Sequence, residues 1–257
     1  MYPFIKENYH THTTRCHHAY GTEEEYIEAA IDMGLTTLGF ADHVPCPFED
    51  GYVSHIRMTM EEAEEYVATV RKAASKYREY IKVLVGFEME YIPEFFSRQM
   101  RMCERLGVDY RIMGQHFWIS EQEGPYAGTP TDDDSRIRTY VDSIIEGMET
   151  GAFGYLCHPD LIHYQGLDSV YHWEMTRLCK RLKELQIPIE MNMGGMLDGK
   201  HYPADRFWSI ASEVGNKVIV GIDAHSPDSI KDMDTYGKCM EILDRYKITP
   251  VNIPIVP

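Results

Sequence analysis

The chain has 257 residues, 44% of them hydrophobic, which is enough to build the core of one large domain over 1–257. Lysine and arginine total 25 against 41 aspartates and glutamates, a formal charge of −16 that excludes long nucleic acid as a partner in the absence of a basic patch, and the sequence holds none. No stretch is long and apolar enough to span a bilayer, nothing at the start resembles a cleaved leader, and Cys16, Cys46, Cys103, Cys157, Cys179 and Cys239 lack the spacing of a disulfide scaffold, so reduced thiols and a cytoplasmic location are expected.

In chain order, "NYHTH" (8–12) reads as a first strand that turns His10 and His12 to one side, because residues two apart share a face. An amphipathic segment at 22–34 follows, then the strand-like "TTLGFADH" (36–43), a helix pattern at 59–80 and "IKVLVGFEMEY" (81–91). Next come a helix pattern at 93–107, the strand-like "YRIMGQHFW" (110–118), and "SEQEGPYAGTPTDDD" (120–134), the most loop-like stretch and a candidate flap. A helix pattern at 131–151, "FGYLCHPDL" (153–161), a helix at 169–186, "IPIEMNM" (187–193), a helix at 203–215, "KVIVGIDAH" (217–225) and a helix at 226–246 complete the series. Several helix patterns open on Ser, Thr or Asp followed by acidic residues, and some end at Gly, as helix termini require.

Strand and helix alternate throughout, which predicts an α/β fold with a parallel sheet covered on both faces. What the strands carry at their ends narrows this: His10 and His12, Asp42 and His43, Glu88, His116, His158, Asn192, and Asp223 with His225. An open sheet would spread these along an edge, whereas a (β/α) barrel gathers all C-terminal strand ends at one mouth. The expectation is a TIM-like, distorted barrel of seven strands with a metal site at that mouth. Imidazoles and carboxylates without clustered cysteines suit borderline divalent ions such as zinc, manganese or iron(II). A single histidine at a strand end is commonly an ordinary polar residue, but six strand ends delivering ligand types to one face point to metal. His55, His172 and His201 lie away from strand ends, and spacing alone does not choose between Glu88 and Glu90, which share a face.

In this order and on these strands, "HTHTTRCHH", "ADH", "GFEMEY", "GQHF", "CHPDL" and "GIDAHS" resemble the motifs of the PHP family, the polymerase and histidinol phosphatase family of metal-dependent phosphoesterases. The resemblance runs over essentially the whole chain, whose length is nearest to the stand-alone histidinol-phosphatase-like members. It implies up to three divalent ions. His10, His12, Glu88 and Asp223 would hold the first; Glu88 would bridge to a second completed by His116 and His158; His18, His43 and His225 would bind the third. Glu88 is preferred because the family's glutamate stands two residues after the glycine, and Asp42 would orient a ligating imidazole from behind.

The implied reaction is hydrolysis of a phosphomonoester, with L-histidinol phosphate of histidine biosynthesis as the candidate substrate. The nucleophile would be a hydroxide between the two ions that Glu88 joins; the proton donor to the leaving oxygen stays open, with Asp223 or His225 acting through water as the candidates. The sequence departs from the resemblance where phosphate-gripping arginines are expected: "HPDLIHYQG" and "MNMGGMLDGKHYP" offer only His163, Lys200 and His201, which lack arginine's bidentate fork. Arg15 is a further candidate for phosphate. Phosphodiesterase or nucleotidase activity within the family is the alternative reading. An amidohydrolase-like barrel is disfavoured by "GQHFW", which has no lysine on the fourth strand, and a non-catalytic module by the full set of ligand positions.

Overall fold

The computed structural model describes residues 2–252; the first residue and the last five of the expected 1–257 domain lie outside the described residues. Among the described residues six parallel strands are formed: β1 (Glu7–Asn8), β2 (Thr37–His43), β3 (Lys82–Met89), β4 (Tyr110–Met113), β5 (Ile189–Asn192) and β6 (Val218–Gly221). They pair as one sheet in the order β1-β2-β3-β4 and a second of β5-β6. Leu156 joins the two by parallel bridges to Met113 and Ile189, and Thr11 bridges Ala224 to close the ring. The result is the expected distorted barrel of seven staves.

Strand period explains the two layers of the core. In β3, Val83, Val85, Phe87 and Met89 pack outward in the main core, while Gly86 and Glu88 face in. A smaller cluster of Tyr9, Ala41, Tyr110, Ile112, Tyr155, Cys157 and Ile219 fills the barrel floor. Tyr110 spans it, donating its hydroxyl to the Tyr9 carbonyl at 2.7 Å. Gly39 and Gly86 leave it room: a Cβ on Gly39 would lie 2.3 Å from the Tyr110 hydroxyl oxygen.

The staves at 8–12 and 153–161 are shorter than predicted, and each has a local reason. Asn8 inserts its side chain between the first and last staves, accepting from Ile222 N (2.9 Å) and donating to Thr11 Oγ1 (2.8 Å) and the His10 carbonyl (3.1 Å). This replaces ladder bonds, so regular pairing stops at Asn8 and resumes only at Thr11. After Leu156 the chain turns at His158, which has φ 28° and is followed by Pro159.

Nine helices surround the barrel among the described residues: α1 (Glu23–Asp32), α2 (Glu62–Tyr77), α3 (Pro93–Leu106), α4 (Asp134–Glu149), α5 (Asp168–Glu184), α6 (Met193–Leu197), α7 (Asp205–Val214), α8 (Pro227–Ile230) and α9 (Met233–Arg245). Thr22 and Glu25 form a reciprocal capping box on α1. The single helix expected at 226–246 is instead two, because Asp232 caps a new start by accepting from Thr235 N at 2.9 Å. Helix α6 was not foreseen; Asn192 caps it by accepting from Gly195 N at 2.8 Å. All six cysteines are buried and free. No helix among the described residues is long and apolar enough to cross a membrane.

Candidate metal centre

Glu88 stands at the centre of the mouth, 2% exposed. Its Oε1 lies 2.8 Å from His158 Nε2, 3.4 Å from His116 Nε2 and 3.6 Å from His10 Nε2. Its Oε2 lies 2.9 Å from His43 Nδ1 and 3.6 Å from His12 Nε2. Asp223 Oδ1 closes the set at 3.1 Å from His12 Nε2 and 3.3 Å from His10 Nε2. Burial opposes charge on Glu88, yet the facing imidazoles, first His116 and then His10 and His43, hold its carboxyl well below the usual range.

The rings are aimed from behind. Glu190, wholly buried, faces His10 Nδ1 at 2.9 Å and accepts from His158 N at 3.1 Å and Asn192 Nδ2 at 2.8 Å. His10 Nδ1 therefore donates to that carboxylate, which leaves Nε2 facing the oxygens of Glu88 and Asp223; burial opposes charge on the ring, but Asp223 and Glu190 hold its imidazole well above the usual range. Asp42 accepts from Thr13 N (3.0 Å) and His43 N (2.7 Å) and from the Thr13 hydroxyl, and lies 3.5 Å from His12 Nδ1. Glu90 stands 3.4 Å from His116 Nδ1. Three carboxylates thus stand behind three imidazoles, Glu190 within hydrogen-bond distance of His10 and Asp42 and Glu90 at 3.5 and 3.4 Å from His12 and His116, an arrangement suited to directing ligating rings.

His18 and His225 carry the same message at the rim. Each points Nδ1 at a backbone carbonyl, Cys16 O at 2.6 Å and Asp223 O at 3.0 Å, so each neutral ring turns a bare Nε2 toward the other, 3.1 Å away. Donor atoms of His18, His43 and His225 lie within 4.8 Å of one another, as do those of His10, His158 and Asp223 and those of His12, His43 and Glu88. His10 Nε2, His12 Nε2 and Asp223 Oδ1 are buried with no hydrogen-bond partner. These inward atoms need either a proton or a metal cation between them, and so many imidazole and carboxylate ligand atoms around one point fit divalent ions.

These groups open into a cavity of about 640 Å³ that Tyr20, Phe117, Tyr126, Lys200 and Tyr202 also line. The flap expected at 120–134 reaches this wall: Tyr126 bridges Phe117, and Ala127 N donates to the His116 carbonyl at 2.7 Å. Of the basic residues expected to meet phosphate, the structure brings only Lys200 to the cavity wall. Arg15 is turned away and neutralised by Glu23 (2.6 Å) and Glu65 (3.0 Å). His163 and His201 stack on each other, ring centroids 4.0 Å apart, in a separate cavity beside Arg206. His201 is held there by the Leu161 carbonyl at 2.9 Å, and burial with His163 pushes its imidazole down to about 4.

Glu190, Tyr126 and Tyr202 were missed from the sequence. Glu190 had a signal, a carboxylate inside the apolar "IPIEMNM" two residues before Asn192 and hence on its face. Tyr126 and Tyr202 sit in loops whose local pattern carries none. Gly114 is a further constraint: a Cβ there would lie 1.9 Å from Glu88 Oε1 and 2.9 Å from His158 Cε1. Gly114→Ala is expected to keep its circular dichroism yet lose bound divalent metal in elemental analysis; wild-type metal content would show that Glu88 has room to move.

A (β/α) barrel with a histidine–carboxylate metal centre at the C-terminal ends of its staves is the class that fold and site define. Residues 8–194 match the family model of the PHP domain, and the chain belongs to that family. A curated relative from Deinococcus radiodurans, named "Probable histidinol-phosphatase", is 27% identical over 230 residues, 86% of each chain. The histidinol-phosphatase of Bacillus subtilis is 28% identical over 118 residues, 44% of each chain. A histidinol phosphate phosphatase from Lactococcus lactis, solved with zinc, L-histidinol and phosphate, superposes with a TM-score of 0.73 at 15% identity, covering 96% of this chain and 95% of that one. That likeness establishes the shared barrel.

Proposed function

We propose that this chain is a metal-dependent phosphomonoesterase whose substrate is L-histidinol phosphate. The observation that carries the reading is the convergence of buried histidine and carboxylate ligand atoms, several without a hydrogen-bond partner, on one open cavity at the barrel mouth. The names of the Deinococcus and Bacillus relatives support the leaving group. The family match ends at 194, but Asp223 and His225 from the last stave enter the same cavity, which supports a single catalytic domain spanning 1–257.

In this reading His10, His12, Glu88 and Asp223 would hold one ion, Glu88 with His116 and His158 a second, and His18, His43 and His225 a third. Zinc, manganese and iron(II) are the candidates. When bound, such ions supply an acidified water and positive charge for the phosphoryl oxygens. Glu88, whose two carboxylate oxygens face different histidines, would contribute to both of the first two sites. Lys200 pairs with the phosphate as a point charge, the one lysine or arginine on the cavity wall among the described residues. Water's oxygen bonds to phosphorus, the phosphorus bond to the alcohol oxygen breaks, and the proton that the attacking water gives up ends on that alcohol oxygen, relayed through water beside Asp223 or His225, giving histidinol and phosphate. The six buried free thiols support placing the enzyme in the cytoplasm.

The test is phosphate release by metal-stripped protein reconstituted with zinc or manganese, comparing L-histidinol phosphate with nucleoside monophosphates and p-nitrophenyl phosphate. Preference for L-histidinol phosphate is expected, and full activity in chelator would end the metal reading. Faster turnover of a nucleotide would reassign the leaving group. Lys200→Ala should raise KM about tenfold through loss of one charge-assisted contact, whereas His163→Ala and His201→Ala, which face another cavity, should leave KM unchanged.

A further inference from the structure

On one side of the mouth the loop 44–61 meets the flap, and Arg57 joins them. Its side chain is 2% exposed and satisfies three segments at once. Nη1 donates to the carbonyl of Val44, the residue after His43, at 3.1 Å; Nη2 donates to Glu90 at 2.9 Å; Nε donates to Glu121 of the flap at 2.7 Å. Glu90 in turn accepts from His116 N at 3.2 Å and stands 3.4 Å from its Nδ1, while Nε2 of the same ring lies 3.4 Å from Glu88. A continuous polar chain therefore runs from Glu121 through Arg57, Glu90 and His116 to Glu88. Gln122 adds a second tie between the two loops, donating to Asp50 at 2.9 Å.

A buried ion pair contributes little net stability, because desolvation offsets most of its attraction. Its geometric consequence is what counts here. The guanidinium is planar with donors in a fixed fork, so the direction to Glu90 sets the direction to Glu121.

We propose that Arg57 is a positioning residue for the metal centre: it presses Glu90 against His116, so that Nε2 stays turned to Glu88, and through Glu121 it fixes the flap that carries Tyr126 to the cavity wall. Substrate access and the geometry of the ion held by His116 are coupled through this one side chain. The inference rests on the metal-dependent reading above.

The test titrates metal-stripped full-length protein with cobalt(II) alone, following its visible absorption, in wild type, Arg57→Met, Arg57→Lys, Glu90→Gln and Glu121→Gln. Arg57→Met and Glu90→Gln should weaken one class of cobalt sites about 10- to 100-fold and shift its band. The remaining sites should titrate as in wild type. Arg57→Lys keeps the charge but lacks the fork, and should fall between. Glu121→Gln should leave the cobalt titration intact but raise KM for the phosphomonoester about tenfold, with kcat changing less. Wild-type cobalt titrations in both Arg57→Lys and Glu90→Gln overturn the proposal even where Arg57→Met fails to fold, and an unchanged KM in Glu121→Gln overturns the coupling to the flap. A wild-type protein that binds no cobalt overturns the metal reading itself.

Discussion

Glu88→Gln is expected to lower phosphatase turnover by on the order of 10²- to 10³-fold, the scale on which an enzyme loses rate when one preorganised charge at the reacting centre is removed. The substitution keeps the shape of the side chain, so the result reports charge and not a cavity. Five imidazole nitrogens stand within 3.6 Å of the two carboxylate oxygens. An amide there halves the acceptor capacity and turns an N–H against a lone pair. The measurement is kcat beside metal content per chain: both should fall together, and an active Glu88→Gln protein would remove Glu88 from the mechanism. Glu90→Gln, one turn of the pleat further on, is the control that should weaken metal binding without abolishing turnover.

Much of this centre was legible because strand period is a strict rule. Glu88 and Glu90 could be placed on one inward face from spacing alone, and the structure separates their roles by surroundings no local pattern shows. Glu88 faces five histidines, while Glu90 faces Arg57, which lies more than thirty residues earlier in a loop. His10 and His12 were expected to share a strand face. They do turn to the same cluster, but by way of Asn8, whose side chain takes over ladder bonds before the chain re-enters the barrel. The arginine expectation failed for a related reason. Arg15 stands next to the histidines in sequence, but Glu23 on α1 and Glu65 on α2 reach it first. In a chain with an excess of sixteen negative charges, an arginine meets carboxylates more readily than it stays free. Capping chemistry accounts for the split of the last predicted helix, since amphipathic period runs through Lys231 and Asp232 while the aspartate's own hydrogen bond restarts the helix.

Metal should be part of the fold's stability as well as its chemistry. Removing the ions leaves His10 Nε2, His12 Nε2 and Asp223 Oδ1 buried with only protons to hold between them, a desolvated cluster whose cost the native state carries alone, because the unfolded chain hydrates the same atoms. An ion that binds only the folded state at about 1,000 times its Kd adds roughly 4 kcal/mol. For a chain of this size that corresponds to a rise in Tm of about 8–16 °C. Manganese is the better titrant, since zinc also binds the cysteines and histidines of the unfolded chain and so understates the gain. Because the ligating imidazoles must be neutral, ion binding displaces protons, and the rise in Tm should be larger at pH 8 than at pH 6. Calorimetry of stripped and manganese-loaded protein at the two pH values measures this directly. Asp223→Ala, which deletes the carboxylate that faces both His10 and His12, should lose most of the increment. Equal Tm values with and without manganese would mean that the buried lone pairs are satisfied by protons alone, and the assignment of the centre to metal would have to be abandoned.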